Sequence, residues 1–404
     1  MPLFIDKVEF VSFRKLVLIL CGLCGLCVNI SAQEFKTLKP GVEYAVVTKE
    51  ISGKQVQMNL LRLDLKKVRL DVHHAMDAAI GTEKTSSIAT RHGAFAAINA
   101  GFFRLDKSEF AGESSGILKI DGNVLSESSD RRIAVSIINS KKRTKVEFGH
   151  TTTTTVVGFR EDDTLVLDGI NRERKPNEIV LFTSDFDKST KTDGSGTEII
   201  LDQCNQLFRW WCRKLQANHN LGNSQIPPNG LVISIGKEAL ERADNFLIRV
   251  EKGPGSHRAL ASLYRVVRRV ELLEPRKQEF FLEAEDITNG VPQLIKNGTI
   301  DITWEQEKAS KSFVETRHPR TAVAKLKDGK FLMITVDGRS ESSGGIGLQD
   351  LAEYLLSLGA TDAMNLDGGG STTMFVDGKV VNKPSDKEGE RKVSDAILVT
   401  LRKK

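Results

Sequence analysis

Apolar and polar positions alternate through much of this chain, a period of two that predicts strands more often than helices. "LLRLDLKKVRLDVH" (60–73) reads as two strands around a Lys66–Lys67 turn, and "TAVAKLKDGKFLMITVDG" (321–338) reads the same way around Asp328–Gly329. The clearest helical period is "GLQDLAEYLLSLGA". There Leu348, Leu351, Ala352, Leu355 and Leu358 form one stripe, and Gly359 stands where a C-terminal cap belongs. Between about 203 and 280 the pattern weakens, and "LASLYRVVRRVELL" fits a helix and a strand equally. The expected class is α+β: a mixed, strand-rich core with a few covering helices.

The pattern also repeats. "GAFAAIN" (93–99) matches "GATDAMN" (359–365) at Gly, Ala, Ala and Asn in the same spacing, each after a helix-like segment. "KIDGNVL" (119–125) then matches "FVDGKVV" (375–381), and "RRIAVSII" (131–138) resembles "RKVSDAILV" (391–399). Short glycine motifs agree by chance, but a shared order argues against chance. The order hairpin, helix, strand, glycine loop, hairpin predicts two related halves, around 58–140 and 320–400.

Composition places this fold outside the cytoplasm. Lys7, Arg14 and Lys15 precede the apolar run "LVLILCGLCGLCVNI", and "SAQ" supplies small residues for cleavage, so residues 1–32 read as a signal peptide and 33–404 as one catalytic domain with an insertion-like segment around 203–280. The expected location is secreted or periplasmic. No later stretch is apolar for 18 residues, so no transmembrane segment is expected after signal cleavage. The formal net charge of +5 is small and dispersed, which argues against nucleic acid as a partner. Cys204 and Cys212 bracket "NQLFRWW"; in an oxidising compartment they could close a disulfide that staples this aromatic excursion, either as packing or beside a sugar.

Candidate chemistry centres on "MNLDGGGSTTMFVDG" (364–378). Three successive glycines lose much backbone entropy on ordering and offer no side chain to pack. One reading is a structural hairpin turn. The other is a nest of N–H groups that binds phosphate, with Ser371, Thr372 and Thr373 adding hydroxyl donors beside Asp367. If the helix at 348–358 makes a crossover, Asp337 and Asp367 leave the sheet at the same edge. Two acidic stretches, "DDTLVLDG" and "DGRSESSGG", are oxygen-rich enough to hold a divalent cation, Ca²⁺ or Mg²⁺, without the spacing of a known calcium loop. "GESSG" (112–116) satisfies G-x-S-x-G with Ser114 as nucleophile, but it lacks the strand before and the helix after that such an elbow needs.

"NLDGGGSTTM", with "HPRTAVA" (318–324), "DGR" (337–339), "INAGFF" (98–103) and "ERKVSDAILV" (390–399), resembles the phosphodiester glycosidase family. "NRERKPNEIVLFTSDFDKSTKTDGSGTEIIL" (171–201) looks like that family's Arg, Thr and Gly-x-Glu segment, although Asp193 stands where asparagine is common. The resemblance implies hydrolysis of a sugar C1–O bond in a sugar-phosphate or glycan phosphodiester, with no required cofactor. It implies Asp367, Asp337, Glu198 and Glu113 as candidate catalytic carboxylates. Arg320, Arg339, Gly368, Gly369, Gly370, Ser371 and Thr372 become candidates for the phosphate, and Asn99, Arg172, Arg317 and Thr321 for orienting sugar or carboxylates. For each arginine a surface ion pair is the plainer alternative. A non-catalytic glycan-binding envelope protein is the alternative from another class.

Overall fold

A computed structural model describes residues 34–158, 164–205, 211–252, 263–272 and 278–402. The expected signal peptide lies outside these residues, and so does the Cys204–Cys212 pairing, since neither the 206–210 segment nor the two cysteine side chains are described. Among the described residues, no helix is long and apolar enough to cross a membrane.

Strand alternation builds the core directly. In the strand Lys54–Leu63, Val56, Met58 and Leu60 face one way, while Leu61 and Leu63 face the other. Phe331–Val336 repeats this, with Leu332, Ile334 and Val336 on the first face and Phe331 and Met333 on the second. These strands lie adjacent in an eight-stranded sheet that also holds Arg320–Leu326 and Ala360–Asn365. Being apolar on both faces, the sheet needs cover on both. The helix Leu348–Ser357 covers one face with Leu348, Leu351, Ala352 and Leu355, and Gly359 follows it at φ +87°, as the stripe and cap predict.

The opposite face packs on a second, five-stranded sheet containing Val68–His74, Ala96–Asn99, Met374–Val376 and Asp395–Leu401. Leu70, Val72, Ile98 and Val399 meet Leu61, Val323 and Met333 in one cluster, which a twelve-stranded sheet closes with Ile133, Val135 and Ile137. The helix Thr85–Arg91 covers the outer face of the five-stranded sheet through Ile88 and Ala89. The described fold is therefore strand-rich, with several antiparallel sheets and few helices.

Two readings change. Residues 60–73 do not form a hairpin: Lys54–Leu63 belongs to the eight-stranded sheet and Val68–His74 to the five-stranded one, with a turn at 64–67 between them. The cause is the shared core, since Leu61, Leu63, Val68 and Leu70 all bury into the same cluster between the sheets. Residues 203–280 are more than an insertion. Their described parts supply Trp211–His219, Leu231–Ile235 and Leu263–Leu272 to the twelve-stranded sheet, and the last of these settles the open helix-or-strand segment as a strand paired with Thr144–Gly158.

Topology then positions the loops. Phe331–Val336 and Ala360–Asn365 flank Arg320–Leu326, both antiparallel to it, with Arg320 opposite Val336 and Ala322 opposite Asn365. The segments after Val336 and after Asn365, and the one before Arg320, hence share one sheet edge. In the five-stranded sheet Val68–His74 and Ala96–Asn99 flank Asp395–Leu401 in the same manner, with Asp395 opposite His74 and Ala396 opposite Asn99.

Candidate active site

The two edges meet at Asn99. Its Nδ2 donates to the Asp367 carbonyl at 2.7 Å, while its Oδ1 accepts from the Thr373 N–H at 3.0 Å and the Thr321 hydroxyl at 2.9 Å. One fully buried amide thus joins the loop after Ala96–Asn99 to the triple-glycine loop and to Arg320–Leu326. Asp395 does similar work next to it, accepting from the Gly101 N–H at 3.0 Å and the Thr288 hydroxyl at 2.6 Å.

The glycines answer a packing demand. A Cβ on Gly368 would lie 2.8 Å from the Pro319 carbonyl oxygen, and one on Gly370 would lie 2.2 Å from both Arg391 Nη2 and Asp386 Oδ1. Gly369 sits at φ +61°, with Arg339 Nη2 3.1 Å from where a Cβ would stand. The expected anion nest is not what the loop presents. The N–H of Gly368 goes to Asp367 Oδ1, that of Gly369 to the Pro319 carbonyl, and those of Ser371 and Thr372 to the carbonyls of Gly368 and Gly369. Bare backbone is needed here because the loop is clasped by Pro319, Arg339 and the Asp386–Arg391 ion pair.

Asp367 emerges from this clasp half-buried. Burial pushes its pKa up to about 6 and Asp395 adds to the rise, opposed by Ser371, the Gly368 N–H and Arg391. Asp337, at the neighbouring strand end, is buried and also raised by desolvation; its Oδ1 accepts from the Lys383 N–H at 3.1 Å and from Asn382 Nδ2 at 3.4 Å. Asn382 also donates to the Thr372 carbonyl at 3.0 Å, so one side chain spans from Asp337 to the glycine loop. Asp337 Oδ2 and the hydroxyls of Thr372 and Thr373 are buried with no partner among the described residues. Such polar orphans are the exception in native structures, and a catalytic role or a bound water or ion is among their explanations.

Positive charge comes from Arg339. It is exposed, adopts φ +56°, reaches His318 Nδ1 at 3.5 Å and has no carboxylate partner among the described residues. A bulky residue in the left-handed region is a strained one, and strain of this kind clusters at functional sites. Burial, with Arg320 and Arg339 nearby, lowers the pKa of His318 and favours a neutral imidazole.

Other candidates are engaged elsewhere. Arg320 is buried and donates to the carbonyls of Phe313, Thr316 and Ile346, with its guanidinium over the Phe313 ring; it braces the strand entry rather than facing a phosphate. Thr321 serves Asn99. Arg317 pairs with Asp350, and Arg172 with Glu127 and Glu178. Glu198 accepts from the Thr192 hydroxyl and the Ser224 N–H within the twelve-stranded sheet, and Glu113 accepts from the Glu173 N–H beside Arg104. No described contact brings either glutamate to Asp367. Ser114 is buried, donates to the Gly116 carbonyl and accepts from Asn289, with no helix after it, so it forms no nucleophile elbow. His318, Arg391 and Asp395, which the sequence reading did not single out, lie inside "HPRTAVA" and "ERKVSDAILV", where the signal was present; Asn382 and Asp386 carried none.

Comparison with known proteins places this geometry. Residues 216–400 match the family described as phosphodiester glycosidase. N-acetylglucosamine-1-phosphodiester alpha-N-acetylglucosaminidase of Bos taurus is 38% identical over 109 residues, 25% of this chain and 20% of that protein, and the Homo sapiens protein is 37% identical over 110 residues, 25% and 21%. A prophage-derived Bacillus subtilis protein, YomE, is 42% identical over 87 residues, 22% of this chain and 13% of that one. The chain thus spans about a fifth or less of the length of these curated relatives. Two solved structures share the fold: a Synechocystis protein (TM-score 0.71, 20% identity, 92% of this chain, 64% of that one) and an exported-protein candidate from Burkholderia pseudomallei K96243 (TM-score 0.68, 21% identity, 87% and 75%). On the family match and the curated relatives together, residues 216–400 of this chain are similar to the phosphodiester glycosidase family.

Proposed function

We propose that the protein is an exported hydrolase that cleaves the sugar C1–O bond of a glycosyl-1-phosphodiester and releases free sugar and a phosphomonoester. The observation that carries this reading is Asp367, half-buried with a raised pKa, on a loop with buried unpartnered hydroxyls and beside Arg339 of the neighbouring loop, which has no carboxylate partner among the described residues. Phosphate is a good leaving group, so its departure depends more on positive donors than on a strong general acid. Arg339 and the hydroxyls of Ser371 and Thr372 take the phosphate in this proposal. Asp367, largely ionised at neutral pH, faces the oxocarbenium-like carbon and accepts a proton from attacking water as the C1–O bond breaks and the electron pair leaves with the phosphate. Asp337, with its unpartnered Oδ2, is the second carboxylate. The reaction as written draws on no cofactor. The same proposal takes 58–140 and 320–400 as related halves, on the support of the shared order strand, helix, strand in Val68–His74, Thr85–Arg91, Ala96–Asn99 and in Phe331–Val336, Leu348–Ser357, Ala360–Asn365, while the hairpins at 119–125 and 375–381 join different sheets.

The test is incubation with an N-acetylglucosamine-1-phosphodiester, following reducing sugar. Release by the wild type and its loss in Asp367→Asn support the proposal. Binding without release points instead to a glycan-binding protein.

A further inference from the structure

A second cluster of chemistry-bearing side chains lies on the outer side of the five-stranded sheet, apart from the Asp367 loop. His73 is the penultimate residue of the strand Val68–His74, Asp77 closes the short turn Ala75–Asp77, and His92 caps the helix Thr85–Arg91. One ligand atom from each lies within 4.8 Å of the other two. The imidazoles stack with centroids 3.7 Å apart at 22°, and His92 Nε2 is 3.0 Å from Asp77 Oδ1. A cavity of about 260 Å³ opens beside them, and Asp121 and Asp185 line it as well. Met76 and Asp77 both adopt positive φ, +58° and +53°, a strained pair that holds the carboxylate toward the rings.

We propose that His73, His92 and Asp77 form a binding site for a transition-metal dication of the zinc type. Two imidazoles and one carboxylate are the donor set of zinc and its neighbours, whereas calcium and magnesium take oxygen donors. Ligand distances of about 2.0–2.1 Å require the rings to turn from stacked to converging, a side-chain rotation at a solvent-facing site. The cluster already attracts a cation. Arg91 Nη1 contacts both Asp77 and His92, while Arg91 Nη2 holds Glu83 at 2.9 Å. An incoming metal displaces one arm of that guanidinium and leaves Arg91 paired with Glu83. Asp121 or water supplies the remaining position.

Arg91 thereby gives the proposal a direction that a structural ion-pair cluster does not share: removing it should tighten metal binding. Titration of the full chain with Zn²⁺ by calorimetry, and with Co²⁺ by visible absorption, reads affinity and coordination without reference to activity. The expected result is one saturable Zn²⁺ per chain, unaffected by excess Mg²⁺ or Ca²⁺. His92→Ala and His73→Ala should weaken it by at least about tenfold, and Arg91→Met should strengthen it several-fold. His92 lies at a helix end, so His92→Gln carries the test should His73→Ala not fold. Zn²⁺ binding that persists unchanged in both histidine variants, or the absence of stoichiometric binding in both the wild type and Arg91→Met, overturns the proposal.

Discussion

Asp367→Asn should make this protein more stable and less active at once. Burial pushes the carboxyl up to about 6 from its ordinary 3.8. The folded protein therefore holds this proton more tightly than the unfolded chain does. Below about pH 4 both states are protonated and the group has no effect on stability. Between those two values the folded state loses stability as pH rises, and above pH 6 the full penalty is present, up to about 3 kcal/mol for a difference of this size. An asparagine keeps the size and the acceptor for the Gly368 N–H while removing the charge. Urea denaturation at pH 8 should show Asp367→Asn more stable than the wild type by up to about 3 kcal/mol, and the gain should shrink to roughly half at pH 5. Turnover of a sugar-1-phosphodiester should fall in kcat, with KM little changed, because the charge matters most at the transition state. A variant no more stable than wild type at pH 8 would show that the carboxylate is stabilised where it lies, and the catalytic role would pass to Asp337.

Three further substitutions probe the clasp. Gly370→Ala drives a Cβ into the Asp386–Arg391 pair; kcat/KM should drop on the order of 10- to 100-fold, with melting temperature within a few degrees of wild type. Asn99→Ala strands the Asp367 carbonyl, the Thr373 N–H and the Thr321 hydroxyl, and should destabilise by roughly 3 kcal/mol or more in urea titration, since each buried orphan costs about 1–3 kcal/mol. Arg339→Met should raise KM for the phosphodiester without loss of stability, a shift read from steady-state kinetics, because its guanidinium has no carboxylate partner among the described residues and its backbone is strained.

Local chemistry was legible in the sequence, and long-range partnership was not. The helix Leu348–Ser357 and the Asp328–Gly329 hairpin follow from a stripe, a cap and a turn, all written within 20 residues. Residues 60–73 carry equally good strand signals, yet alternation cannot say which sheet a strand joins, and the shared core sends the two strands to different sheets. The triple glycine announces that backbone must be bare. What forbids a side chain there comes from Pro319, Arg339, Asp386 and Arg391, distant in sequence except for the last two. Arg320 stands in a motif beside His318, which approaches Arg339, and turns inward because three carbonyls await it. Glu198 and Glu113 have the right chemistry, but topology places Glu198 on a strand of the twelve-stranded sheet and Glu113 on another loop.

The central claim concerns which bond breaks. Hydrolysis of an N-acetylglucosamine-1-phosphodiester in ¹⁸O-labelled water, with mass analysis of both products, reports this directly. Cleavage at the sugar carbon places the label on the C1 hydroxyl of the released sugar and leaves the phosphomonoester unlabelled, which is the result predicted here. Label in the phosphate would mean attack at phosphorus, and the roles given to Asp367 and Arg339 would be contradicted.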